Sequence, residues 1–484
     1  MSFSRVCVVL AGLVAACGSM RPGGGPAKAQ RGPWRELTSE HFTIWTDTSA
    51  ERARVLVPAM ENLRQVVVGV SAFNETKGKI LVIAFDSEDE VHEYIPKQFI
   101  AFAISGTSVL RQPVIVLAGE SLEDDRSVVT HELTHVITYN MIRTQPAWFA
   151  EGIAGYFETV RLDEGRANLD IGVPREGRMA ELHHDGIEPT AELFACDRHD
   201  CEDDRFYATT WALFTFLVNQ HPRELTSYME TLASLRLGDK PPDWSAVVPS
   251  LPPETLDHEL AEWLAYGKIR VSKYNIKLHH DWPVTERPLA DADVFAAKGA
   301  LRYLMASEHA APPPELDKAL AIDPTNVIAS LIHAAEAHDV DPELAHRLTA
   351  AHPDDWRAWW LAWRAAKTFD ESNEARAKTC ALVANAVAVP IDECSKPAPT
   401  KDTRREVFMA ASPQISDCLH FSKYKELAPK FLVDVELDAN GAVTSAHAEV
   451  GTPKTNTCIE DLMKTLAWPA QHAGTFHMET TTKH

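Results

Sequence analysis

The sequence predicts an α+β domain, then an all-α helical-repeat segment, then a small α+β C-terminal domain. Three observations carry this. Between residues 40 and 120, short strand-like runs alternate with helically spaced apolar residues. Residues 290–375 are rich in Ala, Leu and Trp, with a turn sequence that recurs. Near the end, an alternating run leads into Asn440-Gly441, a strong hairpin signal. A length of 484 residues fits this, since it calls for about two to four domains.

Taken in order, the first element is a secretory signal over residues 1–16. Arg5 stands before an apolar run, Val6 to Ala16, too short to span a bilayer as a mature helix. The run ends at Val14-Ala15-Ala16-Cys17, which resembles a bacterial lipobox. The resemblance implies that Cys17 becomes a lipidated N-terminus. Gly18 follows, with no aspartate to suggest inner-membrane retention. An outer-membrane lipoprotein is therefore expected, periplasmic or surface-facing, held to the membrane through its N-terminal lipid only. Residues 17–32, rich in Gly and Pro, read as a flexible tether.

Residues 33–275 form the first expected domain. His41 to Thr46 alternates as a strand, and Val55, Leu56, Met60, Leu63 and Val67 mark a helix from Glu51 to about Val70. Ile80–Phe85 and Pro113–Leu117 read as further strands. A helix should begin between Ser121 and Asp125, where acidic residues suit the positive end of its dipole. Beyond Tyr156 the pattern is mostly helical to about residue 275. In the helical segment, 285–378, Asp323-Pro324-Thr325-Asn326 and His352-Pro353-Asp354-Asp355 recur 29 residues apart. This resembles degenerate tetratricopeptide-type helix pairs, and an ordinary helical subdomain is the alternative. Residues 395–404 read as a linker. In 405–475, alternation from Phe431 to Leu437, the Asn440-Gly441 turn and a helix from about Thr457 to Leu466 resemble TonB-like C-terminal domains, which implies interaction rather than catalysis.

Composition excludes some functions. With 47 basic and 69 acidic residues the formal charge is −22, which argues against nucleic acid and against basic docking on anionic lipid. No apolar run reaches the ~18 residues of a spanning helix. Of the eight cysteines, Cys7 leaves with the signal and Cys17 takes the lipid. The six others fall as Cys196 and Cys201, Cys380 and Cys394, Cys418 and Cys458. Six cysteines allow 15 pairings, and sequential pairing is the simplest. A cysteine metal site is disfavoured because no C-x-x-C pair occurs.

The chemistry concentrates in His131-Glu132-Leu133-Thr134-His135. On a helix, residues i and i+4 share a face, so both imidazoles can reach one metal ion with Glu132 beside them. Val128, Val129, Val136 and Ile137 bury the motif, and buried imidazoles next to a carboxylate need something to satisfy them. A catalytic zinc takes a third protein ligand. Glu151 is the candidate, on a helix that Pro146 starts and that can double back on the first. Glu158 lies two turns on, roughly 10 Å away, too far to share the ion.

His131-Glu132-Leu133-Thr134-His135 together with Trp148-Phe149-Ala150-Glu151-Gly152-Ile153-Ala154 resembles the gluzincin metallopeptidases, in their peptidase-MA-like branch. Phe206 to Leu213 resembles a helix found downstream in that branch. The resemblance covers about residues 33–270. It implies a zincin-like α+β fold, zinc (Zn2+) as cofactor, His131, His135 and Glu151 as its ligands, and Glu132 as general base. Fifteen residues separate His135 from Glu151, fewer than in thermolysin-like enzymes, and no asparagine precedes the glutamate. The expected reaction is hydrolysis of a peptide or protein substrate. Tyr207 and His199 are candidates to stabilise the oxyanion, while Tyr207 as a packing ring is the plainer alternative. His183-His184 reads as a solvated loop pair. The strand Pro113–Leu117 is a candidate sheet edge for substrate, with an interior strand as the alternative. A rival reading is a non-catalytic periplasmic scaffold that binds a protein partner through its helical and C-terminal domains. Hydrolysis of a non-peptide amide, such as cell-wall material, is a third.

Overall fold

The computed structural model describes residues 32–481, apart from 71–77, 96–100, 105–109, 119–125, 164–167, 197–202, 237–238, 267–268, 280, 307–311, 338–339, 384–390, 392–393, 395–402, 412–414, 416–417, 420–429, 439, 467 and 469–473. The signal, Cys17, most of the tether, most of the linker, His199 and Cys201 thus lie outside the described residues. The described chain forms two compact units that part between Ile322 and Asp323.

The first unit is built on a six-stranded sheet. Its strands are β1 (Arg35–Thr38), β2 (Phe42–Thr46), β3 (Ile80–Phe85), β4 (Ala101–Ile104), β5 (Val114–Ala118) and β9 (Thr285–Pro288), in the order β4-β5-β3-β2-β1-β9. β2, β3 and β5 run parallel, and the outer pairings are antiparallel. A parallel pair needs a crossover, which the long helix Ala50–Val70 supplies between β2 and β3. The sequences ILVIAF and VIVLA of β3 and β5 are buried at every position, as strands covered on both faces must be.

Three expectations change here. The edge beside β5 is β4, so the strand Pro113–Leu117 is interior. Pro113 stands just ahead of β5 and gives its carbonyl to Leu81 N–H, so its missing N–H breaks no ladder bond. The expected boundary at 275 falls inside the unit, because β9 pairs with β1 from Thr285 to Pro288. The region after Tyr156 is mostly helical, but β6 (Arg161–Asp163), β7 (Asn168–Ile171) and β8 (Ser272–Asn275) form a small antiparallel sheet. Their sequences RLD, NLDI and SKYN are too short and polar to announce strands.

The second unit begins with helices Val327–Ala337, Pro342–Ala351, Trp356–Ala365 and Phe369–Val383. Both recurrent turns cap helices: Asn326 Oδ1 accepts from Ala329 N–H, and Asp355 Oδ1 accepts from Arg357 N–H. The final sheet holds β10 (Lys430–Leu437) between β11 (Val443–Glu449) and β12 (Gly474–Thr481). The Asn-Gly hairpin is present, with Gly441 at φ +79°. Its turn is built on Asp438, whose carboxylate accepts from Asn440 and Ala442 N–H. The third strand extends the domain beyond the expected end at 475. Cys380 pairs with Cys394 and Cys418 with Cys458, as sequential pairing predicts. Cys196 is also disulfide-bonded. Disulfides are consistent with an exported protein. No helix among the described residues is long and apolar enough to cross a membrane.

Candidate metal centre

The motif lies on the helix Arg126–Met141, whose residues Val128 to Tyr139 are all buried. A helix buried all round must satisfy its own polar side chains. Thr130 and Thr134 do so by donating to the carbonyls of Arg126 and Thr130, one turn back, and Thr138 donates to His135. The helix packs on β4 and β5 and beside Ala50–Val70. This side of the sheet therefore presents His131, Glu132 and His135 to the helix that follows.

That helix, Ala147–Phe157, starts at Pro146, whose carbonyl takes the amides of Phe149 and Ala150. It is held from behind by the helix Asp204–Gln220. Gly152 makes the close crossing possible. A Cβ there would meet the Thr210 carbonyl oxygen at 2.9 Å and Phe214 Cβ at 3.0 Å.

The crossing brings Glu151 against both histidines. His131 Nε2 lies 3.1 Å from Glu151 Oε2, and His135 Nε2 lies 3.5 Å from Glu151 Oε1. Ligand atoms of His131, His135 and Glu151 all fall within 4.8 Å of one another, and all three residues are buried. Around a tetrahedral ion with bonds of about 2.1 Å, neighbouring donors sit roughly 3.4 Å apart. The observed spacings are close to that, so the group could hold a metal ion. Burial on its own would raise the Glu151 carboxyl, but the His135 and His131 rings overcome it and hold the group well below the usual range.

Glu132 behaves in the opposite way. Burial pushes it up to about 8, against the opposing charge of His131. Neither of its carboxylate oxygens completes a hydrogen bond within the protein, and the Ala103 amide on β4 favours its charged form only as a minor influence. An ionisable group in that state is costly unless a further species joins the site.

Glu158 is outside the donor group, as its two-turn offset requires, but it touches the centre. Its Oε2 lies 3.0 Å from His131 Nδ1. Arg178, from the helix Glu176–Asp185, donates to Oε1 at 2.7 Å through Nε and to Oε2 at 3.0 Å through Nη2. Arg175 Nη1 approaches Oε1 at 3.4 Å and donates to Ser127 Oγ on the motif helix. Burial raises the Glu158 carboxyl, and Arg178 and His131 more than reverse this. No sequence signal linked Glu158 to Arg178, since the contact depends on how a later helix returns.

Tyr207 and the His183-His184 pair are the other described candidates. Tyr207 is buried with the Arg178 guanidinium 5.8 Å above its ring centroid. His183 and His184 are exposed, in the last turn of a helix rather than in a loop, and His184 pairs with Asp185 at 2.7 Å. A model of a protein family of unknown function (DUF1570) matches residues 125–236. That span holds the motif helix, the Glu151 helix, Glu158, Arg178 and Tyr207. Among curated proteins, none matches this chain.

Proposed function

We propose that this protein is a zinc-dependent peptidase of the gluzincin type, exported and anchored to the bacterial outer membrane through lipid on Cys17. The observation that carries the reading is Glu132. It is a fully buried carboxylate with no completed hydrogen bond, one residue along from a buried His/His/Glu donor set. His131, His135 and Glu151 would hold the zinc, and the donor chemistry suits that ion. When bound, zinc supplies an activated water and polarises the scissile carbonyl.

The rest of the work falls to the chain. Glu132 takes a proton from the attacking water at its carboxylate and delivers it to the leaving amine. Its apolar surroundings favour the protonated form needed for delivery, and a nearby dication favours the ionised form needed for uptake. Tyr207 is the candidate to stabilise the oxyanion; its ring sits beneath the arginine that contacts Glu158. Among the described residues β4 is the edge strand beside the motif helix, and a peptide can add to it as a further strand.

The test uses the protein and Glu132→Gln. Zinc should bind near one per chain in both. Hydrolysis of a mixed peptide library should fall on the order of 10²–10⁴-fold in the variant. No bound zinc, or equal turnover by the two proteins, would sink the reading.

A further inference from the structure

We infer that Glu158 and Arg178 form a positioning pair that fixes the tautomer and ring orientation of His131 for metal binding. The inference rests on the zinc reading above and adds two residues to it.

The geometry is specific. His131 has a carboxylate at each ring nitrogen, Glu151 on the Nε2 side and Glu158 on the Nδ1 side. A histidine that gives Nε2 to a metal keeps its proton on Nδ1. Glu158 stands where that N–H donates, so it leaves the Nε2 lone pair turned toward Glu151 and His135. A ring held only at Nε2 could rotate or carry its proton on the wrong nitrogen.

Glu158 is itself held. Arg178 grips both its oxygens in a two-pronged contact, and Arg175 adds a third approach. Arg178 also offsets the charge of Glu158. His131 thus gains a strong acceptor without a net negative charge being added beside Glu132 and Glu151. Glu158 follows the helix that carries Glu151, whereas Arg178 reaches the metal centre from a helix, Glu176–Asp185, that contributes none of the three ligand residues. Neither residue touches a reacting atom, so both act through His131.

Two variants test this on the full-length protein: Glu158→Gln, and Glu158→Gln/Arg178→Met, in which Arg178 is not left as a charge facing a neutral amide. The measurements are zinc dissociation constants by competition with a chromophoric chelator, the visible absorption of the cobalt(II)-substituted proteins, and thermal unfolding of the metal-free proteins. Expected is a zinc dissociation constant raised about 10–100-fold in both variants, as loss of a partner behind a ligating histidine typically gives. The cobalt bands should shift in position or intensity, while the metal-free double variant still unfolds cooperatively. Parent-like affinity and parent-like cobalt bands in a folded double variant would overturn the positioning role and leave the zinc reading standing. A parent chain that binds no zinc overturns both. Zinc binding without peptide cleavage overturns the peptidase reading alone.

Discussion

Two of the regions in which histidines meet carboxylates differ sharply in burial. In the first unit, His131, Glu132, Glu151 and Glu158 are at most 2% exposed. In the final sheet, Asp434 pairs in register with His447 on β11 and His477 on β12. There His477 Nδ1 lies 2.5 Å from Asp434 Oδ1, closer than any contact in the buried cluster, yet the His477 side chain is 53% exposed. Water can serve each of those groups alone. In the buried cluster it cannot, so every charge there needs a built partner. Burial, rather than short distance, separates the two groups.

The largest expected effect separates the regions directly. His131→Ala removes the group that both Glu151 and Glu158 contact, and in the metal-free protein it should cost about 3–5 kcal/mol of stability. His477→Ala should leave the unfolding midpoint essentially unchanged. Denaturant unfolding of the two variants side by side checks this, and similar losses in both would remove the distinction. A smaller effect is expected from Gly152→Ala, where the new methyl collides with the Thr210 carbonyl at the crossing that carries Glu151. It should cost about 1–3 kcal/mol, with zinc affinity reduced as Glu151 shifts. The smallest concerns titration. The Asp434 hydrogen bond raises His477 above its ordinary value of 6.5. Its contribution to stability is therefore present below 6.5 and is lost as pH rises through the raised value. Asp434→Asn should move the His477 imidazole midpoint back toward 6.5 by NMR. An unmoved midpoint would show that the pair does not form in solution.

Much of the donor group was legible because it depends on local rules. The i and i+4 spacing of His131 and His135 holds on any helix, and Pro146 announces the helix that delivers Glu151. The cysteine pairs that are described follow chain order. What was not legible depends on return paths. Glu158 acquires its meaning from Arg178, twenty residues on, through a helix whose placement no local pattern encodes. The strand order was hidden for the same reason: AFAI and TERP are four residues each, and nothing in them says that one borders the centre and the other closes the far edge. Gly152 and Gly155 are plain in the sequence, but only the crossing helix shows why small residues belong there.

That far edge has a consequence for folding. β1 is among the first described residues of the unit and β9 comes some 250 positions later, with Arg287 reaching Glu36 across a separation of 251. The sheet cannot be completed until residues 285–288 have been synthesised. Until then β1 keeps one row of backbone donors and acceptors open, a template for pairing with another chain. Closure of so long a loop is governed by search rather than by contact strength. The unit should therefore fold late and as a whole, and fragments ending near 275 should be prone to associate through that open row.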